Sequence, residues 1–306
     1  MNRKVTVVGA GNVGASLAEL IARAGIADVV ITDIAEGIPQ GKALDMSQAC
    51  ALWGSSARVT GTNGFEETAG SDIIVITAGL ARKPGMSRDD LLAANSKIVG
   101  SVTKETTKLS PEAIIIVVTN PMDVMAHVAL DTSGLDSSRV IGMGGVLDAA
   151  RMRTFVAWEL GVSVRDVEAL VMGGHGDAMV PMPRFTTVKG VSINELLPAD
   201  RVKALVERTQ GGGAEIVAHL KTGSAFYAPA ASTFEMVRSI LMDEKRTLPC
   251  SVLLKGQYGI DGIYAGAPVV LGQKGVEKVI ELELSDEESG LLMASAKAVK
   301  DMVESL

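Results

Sequence analysis

The sequence predicts an α/β fold in two parts, a parallel sheet flanked by helices followed by a mixed α+β region. Three observations carry this. Up to residue 130, short β-branched runs alternate with helix-patterned stretches. The runs are apolar on both faces, as strands covered by helices on both sides must be. After residue 145 the texture changes to a long helical stretch, short strands rich in turn residues, and further helices.

Taken in order, strands are expected at residues 5–8, 29–32, 73–77 and 114–118, with helices at 15–24, 41–52, 91–109 and 122–130. The second part offers helices at 148–160, 198–220 and 227–242, short strands between 172 and 190, and longer strands at 247–254 and 263–271. Residues 286–306 open on acidic side chains and keep an apolar spacing, the pattern of a terminal amphipathic helix. No low-complexity linker separates the parts, so the boundary is drawn between two lobes, 1–143 and 144–306. A ligand cleft is expected between them.

Composition narrows the function. With 29 basic against 36 acidic residues, the chain lacks the electrostatic footprint of a nucleic-acid or anionic-membrane binder. An anionic ligand would therefore have to be gripped locally. Cys50 and Cys250 lie far apart in apolar contexts, with neither disulfide nor zinc-knuckle spacing. A reducing compartment fits, the N-terminus shows no charged-then-apolar leader, and no apolar run approaches a membrane span. The expectation is a cytoplasmic protein without a metal site. A mean hydropathy of +0.28 with 21% charged residues points to self-association.

Gly9-Ala10-Gly11-Asn12-Val13-Gly14 satisfies G-x-G-x-x-G between the first strand and a helix beginning near Val13. That context marks a Rossmann-type domain. Gly9 can make the tight turn, Gly11 lets the main chain approach a pyrophosphate, and Gly14 allows close helix–strand packing, with the helix N-terminus facing the phosphates. Asp33 ends the next strand, about 20 positions on, where a carboxylate accepts hydrogen bonds from an adenosine ribose. NAD is the cofactor this arrangement favours. The plainer alternative is a glycine turn in an ordinary α/β protein with a surface Asp.

Three histidines narrow the search for a general acid or base. His127 and His219 fall in helical runs and read as packing or surface residues. His175 lies in Gly173-Gly174-His175-Gly176-Asp177 after a short apolar strand, its imidazole uncrowded by neighbours. Such a histidine needs a carboxylate to fix its tautomer. Asp148 is the candidate, with a simple N-cap as its other reading. Arg151, three positions on, shares its helical face and could present a guanidinium to a substrate, or form only a surface ion pair. Residues 79–90 follow the strand at 73–77 and contain Arg82, Lys83, Pro84, Gly85 and Arg88, which reads as a lid or as a solvated loop.

Together GAGNVG, Asp33, the segment 82–88, Thr119-Asn120-Pro121-Met122-Asp123, LDAAR and GGHGD resemble the lactate/malate dehydrogenase superfamily over essentially the whole chain, and most of all its lactate-dehydrogenase-like malate branch. The resemblance implies a Rossmann-type NAD-binding domain followed by a mixed α+β catalytic domain, and reversible NAD-dependent oxidation of (S)-malate to oxaloacetate. It makes His175 the proton donor and acceptor, Asp148 its partner, Arg151 the clamp on the carboxylate beside the reacting carbon, and Arg88 the group that polarises the carbonyl. Asn120 would bond the substrate oxygen and help position the nicotinamide, with Asn12, Val13, Asn95 and Val118 among the cofactor contacts.

Arg82 stands where lactate-specific members usually carry glutamine, which implies a second substrate carboxylate. Ala225, in place of a threonine common in lactate enzymes, points the same way. The resemblance also implies a homo-oligomer, a tetramer more than a dimer. Rival readings are a lactate or other 2-hydroxy acid dehydrogenase, an NAD- and metal-dependent glycosidase, and a nucleotide-sensing module without chemistry.

Asp33 generates the first prediction. kcat/KM with NADH should far exceed that with NADPH, because a 2′-phosphate would meet the carboxylate; equal efficiencies would remove this role.

Overall fold

The computed structural model describes residues 3–80 and 88–306, with Arg88 described by its main chain alone. The first half runs β1 (Lys4–Val8), α1 (Asn12–Ala24), β2 (Asp28–Thr32), α2 (Ile38–Trp53), β3 (Val59–Thr62), β4 (Ile73–Ile76), α3 (Arg88–Leu109), β5 (Ile114–Val117), α4 (Met122–Ser133) and β6 (Val140–Gly142). These strands lie parallel in the order β3-β2-β1-β4-β5-β6. The order reverses between β1 and β4. Open α/β sheets bind ligands at such a point, beyond the carboxyl ends of the strands.

Strands β4 (IIVI) and β5 (IIIV) are buried along their whole length. Successive side chains point to opposite faces of a strand. Ile73, Val75, Ile114 and Ile116 accordingly pack with α1 residues Leu17 and Ile21, while Ile74, Ile76, Ile115 and Val117 pack with Val99 of α3 and Met125 of α4. Helices on both faces thus explain the continuous apolar runs.

The second half runs α5 (Gly145–Leu160), β7 (Val167–Glu168), β8 (Val171–Gly173), β9 (Met179–Pro181), β10 (Thr187–Val188), β11 (Val191–Ser192), α6 (Ile193–Leu196), α7 (Ala199–Leu220), α8 (Tyr227–Leu241), β12 (Arg246–Lys255), β13 (Asp261–Gly272), β14 (Gly275–Val279) and α9 (Asp286–Val303). The two lobes expected from sequence share one sheet: β12 pairs β6 at Ser251 and Gly142, and the ladder continues antiparallel through β13, β8 and β9. The Tyr264 hydroxyl of β13 reinforces the join by donating to the Val140 carbonyl of β6 at 3.0 Å. Helix α9 starts with a capping box, in which Ser285 Oγ accepts from the Glu288 amide and Glu288 Oε2 from the Ser285 amide.

Some expectations need adjustment. Strands β3, β6 and β14 were not anticipated, α3 begins at Arg88 rather than at residue 91, and α9 ends at Val303. Residues 81–87 of the expected lid, Arg82 among them, lie outside the described residues. His127 is half-buried, edge-on to Tyr264, and His219 is exposed. Cys50 and Cys250 are buried and unbridged, and burial raises the Cys250 thiol well above its ordinary value. Among the described residues no helix is long and apolar enough to cross a membrane.

Ile116, fully buried in β5, tests the packing. Ile116→Ala should cost about 2–5 kcal/mol in a denaturant titration; a much smaller loss would mean that this part of the core is not close-packed.

Candidate active site

The nucleotide end is built from main chain. Gly9, at the end of β1, has φ +111°, and a Cβ there would come within 2.6 Å of Thr77 Oγ1. At Gly14, in the first turn of α1, a Cβ would lie 1.9 Å from the Gly9 carbonyl. Only glycine lets this turn fold back on its own helix. Gly11 differs: nothing lies within 4 Å of its Cβ position, so its bare backbone faces open space where a ligand can approach. Asn12 and Val13 start α1 beside it.

Asp33 follows β2, with Oδ2 accepting from the Ala10 amide at 2.6 Å and Oδ1 from the Ala35 amide at 2.9 Å. These bonds aim the carboxylate at the glycine turn and leave lone pairs for a ribose. Gly9, Gly11, Asp33, Ile34 and Phe65 line a cavity of about 550 Å³ at the β1/β4 reversal. A larger cavity, about 730 Å³, opens elsewhere among Arg3, Asp72, Glu112, Arg139, Lys245 and Glu277. It lies by the amino ends of the strands, where Arg139 pairs with Glu112 at 3.0 Å and Lys245 with Glu277 at 3.6 Å. The smaller cavity has the geometry for a nucleotide.

Asn95 of α3 is buried, and its amide is used internally. Oδ1 accepts from the Leu80 amide at 2.8 Å, and Nδ2 donates to the carbonyls of Leu80 and Asn120 at 3.2 and 2.7 Å. It thus ties Leu80 to the turn after β5, where Val118 is buried and Asn120 exposed. The Asn120–Pro121 peptide is cis.

At the reacting end, His175 follows β8 and its Nδ1 lies 2.8 Å from Asp148 Oδ2. Asp148 is not the helix cap. Gly144 holds that place, so Asp148 falls within the first turn of α5, and its side chain is 1% exposed. Its second oxygen accepts from Arg151 Nη1 at 3.0 Å. The Arg151 side chain is only 13% exposed and its Nε is buried without a partner among the described residues, so this is no surface ion pair. A carboxylate on Nδ1 leaves Nε2 as the nitrogen free for a substrate.

Burial alone would depress the imidazole pKa. The charge and hydrogen bond of Asp148, joined by the charge of Asp123, outweigh both burial and Arg151 and raise it above the ordinary 6.5. In the sequence Asp123 reads only as the last residue of the turn Thr119–Asp123. It is fully buried, its Oδ2 accepts from the His175 amide at 2.7 Å, and its Oδ1 accepts from Ser251 Oγ at 2.6 Å. Ser295 Oγ accepts from the Gly174 amide at 2.7 Å. These partners lie 52, 128 and 121 residues apart, beyond any local signal in the chain. Arg82 and the Arg88 side chain lie outside the described residues.

A glycine-cradled nucleotide cavity and a carboxylate-held imidazole in one sheet define a two-part α/β dehydrogenase. The chain belongs to the lactate/malate dehydrogenase family, NAD-dependent oxidoreductases: residues 3–142 match its NAD binding domain and 145–306 its alpha/beta C-terminal domain. It is 57% identical over 306 residues to a malate dehydrogenase of Thermomicrobium roseum, covering 100% of this chain and 99% of that one. Among solved structures it resembles malate dehydrogenase of Salinibacter ruber, with TM-score 0.95, 52% identity and coverage of 99% and 97% of the two chains. It also resembles lactate dehydrogenase of Cryptosporidium parvum in complex with lactic acid and NAD, with TM-score 0.96, 40% identity and coverage of 99% and 98%.

The Asp148 pairing generates a pH prediction. The raised His175 pKa stabilises the fold fully below the ordinary 6.5, and that contribution fades as pH rises through the raised value. Asp148→Asn should lower kcat by about 100-fold or more and move the alkaline limit of keto-acid reduction to lower pH. An unmoved limit would show that Asp148 does not govern the imidazole.

Proposed function

We propose that this chain catalyses reversible NAD-dependent oxidation of (S)-malate to oxaloacetate. The observation that carries the reading is the buried series Arg151–Asp148–His175, which offers an imidazole for the proton and a guanidinium for a carboxylate. In oxidation, His175 Nε2 takes the substrate hydroxyl proton, and in reduction it gives the proton back. Asp148 holds the tautomer and stabilises the imidazolium. Arg151 receives the carboxylate beside the reacting carbon; its Nε, buried and unpartnered among the described residues, supports the assignment, since a buried cationic donor suits an anion. Arg88 polarises the carbonyl, Asn120 bonds the substrate oxygen, and Arg82 receives the second carboxylate.

NAD, when bound, supplies the hydride acceptor. The open Cβ position at Gly11 and the carboxylate aimed at the glycine turn fit that cofactor. Gly11, Asn12 and Val13 would face its pyrophosphate, on a turn that Gly9 and Gly14 shape, and Asp33 its adenosine ribose, with Val118 and Asn120 toward the nicotinamide and Asn95 holding their turn in place. The division at 143/144 leaves the cofactor residues, with Arg82, Arg88 and Asn120, in the first part and puts Asp148, Arg151 and His175 in the second. We also assign a cytoplasmic homo-oligomer, a tetramer before a dimer. Exposed Leu52 (90%) and Trp158 (66%) support self-association, which light scattering would check.

Lactate or another 2-hydroxy acid is the second reading, favoured by the likeness to the Cryptosporidium lactate enzyme. Losing one partner of a desolvated pair costs several kcal/mol, and a lid cation can partly recover it in water. Oxaloacetate should therefore be preferred to pyruvate by about 2–4 kcal/mol, or roughly 30- to 1,000-fold in kcat/KM. Faster consumption of pyruvate with NADH would overturn the malate reading.

A further inference from the structure

A second carboxylate, Asp123, is buried against the main chain of the same histidine. It lies in the first turn of α4 and spends both oxygens on donors from other elements, the His175 amide at 2.7 Å and Ser251 Oγ of β12 at 2.6 Å. The preceding peptide is caught as well: the Gly174 amide donates to Ser295 Oγ of α9, whose hydroxyl donates to the Ala178 carbonyl at 2.5 Å. Residues 174 and 175 lie beyond the end of β8, so side chains hold amides that no strand ladder holds. A neutral acceptor could take the same N–H without the desolvation cost of a buried carboxylate. The charge itself therefore calls for a role.

We propose that Asp123 is a positioning residue for the proton-transfer step, fixing the His175 main chain and adding a second negative charge that holds a proton on the imidazole. This rests on the reading of His175 as the acid and base. Among the described residues, the charged groups acting on the imidazole are Asp148 and Arg151 from α5 and Asp123 from α4, whereas β12 and α9 bring the hydroxyls of Ser251 and Ser295. Charge acts at longer range in such a water-poor interior than in water. Burial raises the Asp123 pKa, against the opposing effects of the Ser251 and His175 hydrogen bonds. Both of those partners donate, an arrangement that suits the ionised acid.

With three histidines in the chain, the His175 ring can be followed by proton NMR in the free protein and assigned with a His175→Gln variant. Asp123→Asn keeps an acceptor for the His175 amide and removes the charge. His175 should then titrate at lower pH than in the wild type, and the alkaline limit of oxaloacetate reduction should move the same way, with NADH affinity unchanged. Asp123→Ala, which also removes the acceptor, should lower kcat on the order of 10- to 100-fold; if it does not fold, the asparagine variant carries the test. The same His175 titration in wild type and Asp123→Asn would overturn the proposal and leave Asp123 an ordinary buried contact. A wild-type protein inactive on oxaloacetate would instead overturn the substrate reading, on which the NMR titration does not depend.

Discussion

Asp148 carries a carboxylate into the interior at 1% exposure, and the two groups it meets there, the His175 ring and the Arg151 guanidinium, make that burial tolerable. Removing either leaves a buried charge with half its partners, a change that typically costs about 3–5 kcal/mol. The local backbone is shaped to permit the arrangement. A Cβ at Gly144 would sit 2.6 Å from Met122 Cε, and one at Gly145 would sit 2.7 Å from the Pro249 carbonyl. Bare glycines let the first turn of α5 press against α4 and β12, which brings Asp148 within reach of the loop after β8.

Hydrogen bonds tie the successive segments between the glycine cradle and the main chain of His175. Thr77 Oγ1 donates to the Val8 carbonyl beside Gly9, Asn95 joins Leu80 to Asn120, and three residues further along the same chain Asp123 holds His175. Each step runs between main chain and a buried or half-buried side chain. Strand ladders across β1, β4, β5 and β6 hold in register the strands from which these segments emerge. The cofactor end and the proton-transfer end are thus parts of one rigid framework, the condition under which reacting groups keep their geometry.

What could be read from the chain follows from how local each signal is. Strands β4 and β5 are legible because helices cover both faces, so every residue is apolar. Strand β3 (VTGT) is a short edge strand, half-buried, whose Gly61 exists because a Cβ would fall 2.1 Å from the Pro39 carbonyl, a contact that no local pattern encodes. His175 stands out by chemistry, as one of three histidines and set among glycines, whereas Asp148 and Arg151 are picked out by the LDAAR motif. Asp123 resembles any acidic residue in a first helical turn, and its role comes from Ser251 and His175, brought to it by the pairing of β12 with β6 and of β8 with β13.

The framework does not encode the substrate. The main chain superposes as well on a lactate enzyme, at TM-score 0.96, as on a malate enzyme, at 0.95. The imidazole, its carboxylate and one guanidinium serve any 2-hydroxy acid, since they address the carbon and carboxylate common to all of them. Discrimination must then come from groups that meet the variable end of the molecule. A charge there can reject a methyl group more strongly than shape can, because an unpaired desolvated cation costs more than a poorly filled apolar pocket. A charge carried by residues other than His175, Asp148 and Arg151 lets specificity change without disturbing the buried series that performs the chemistry.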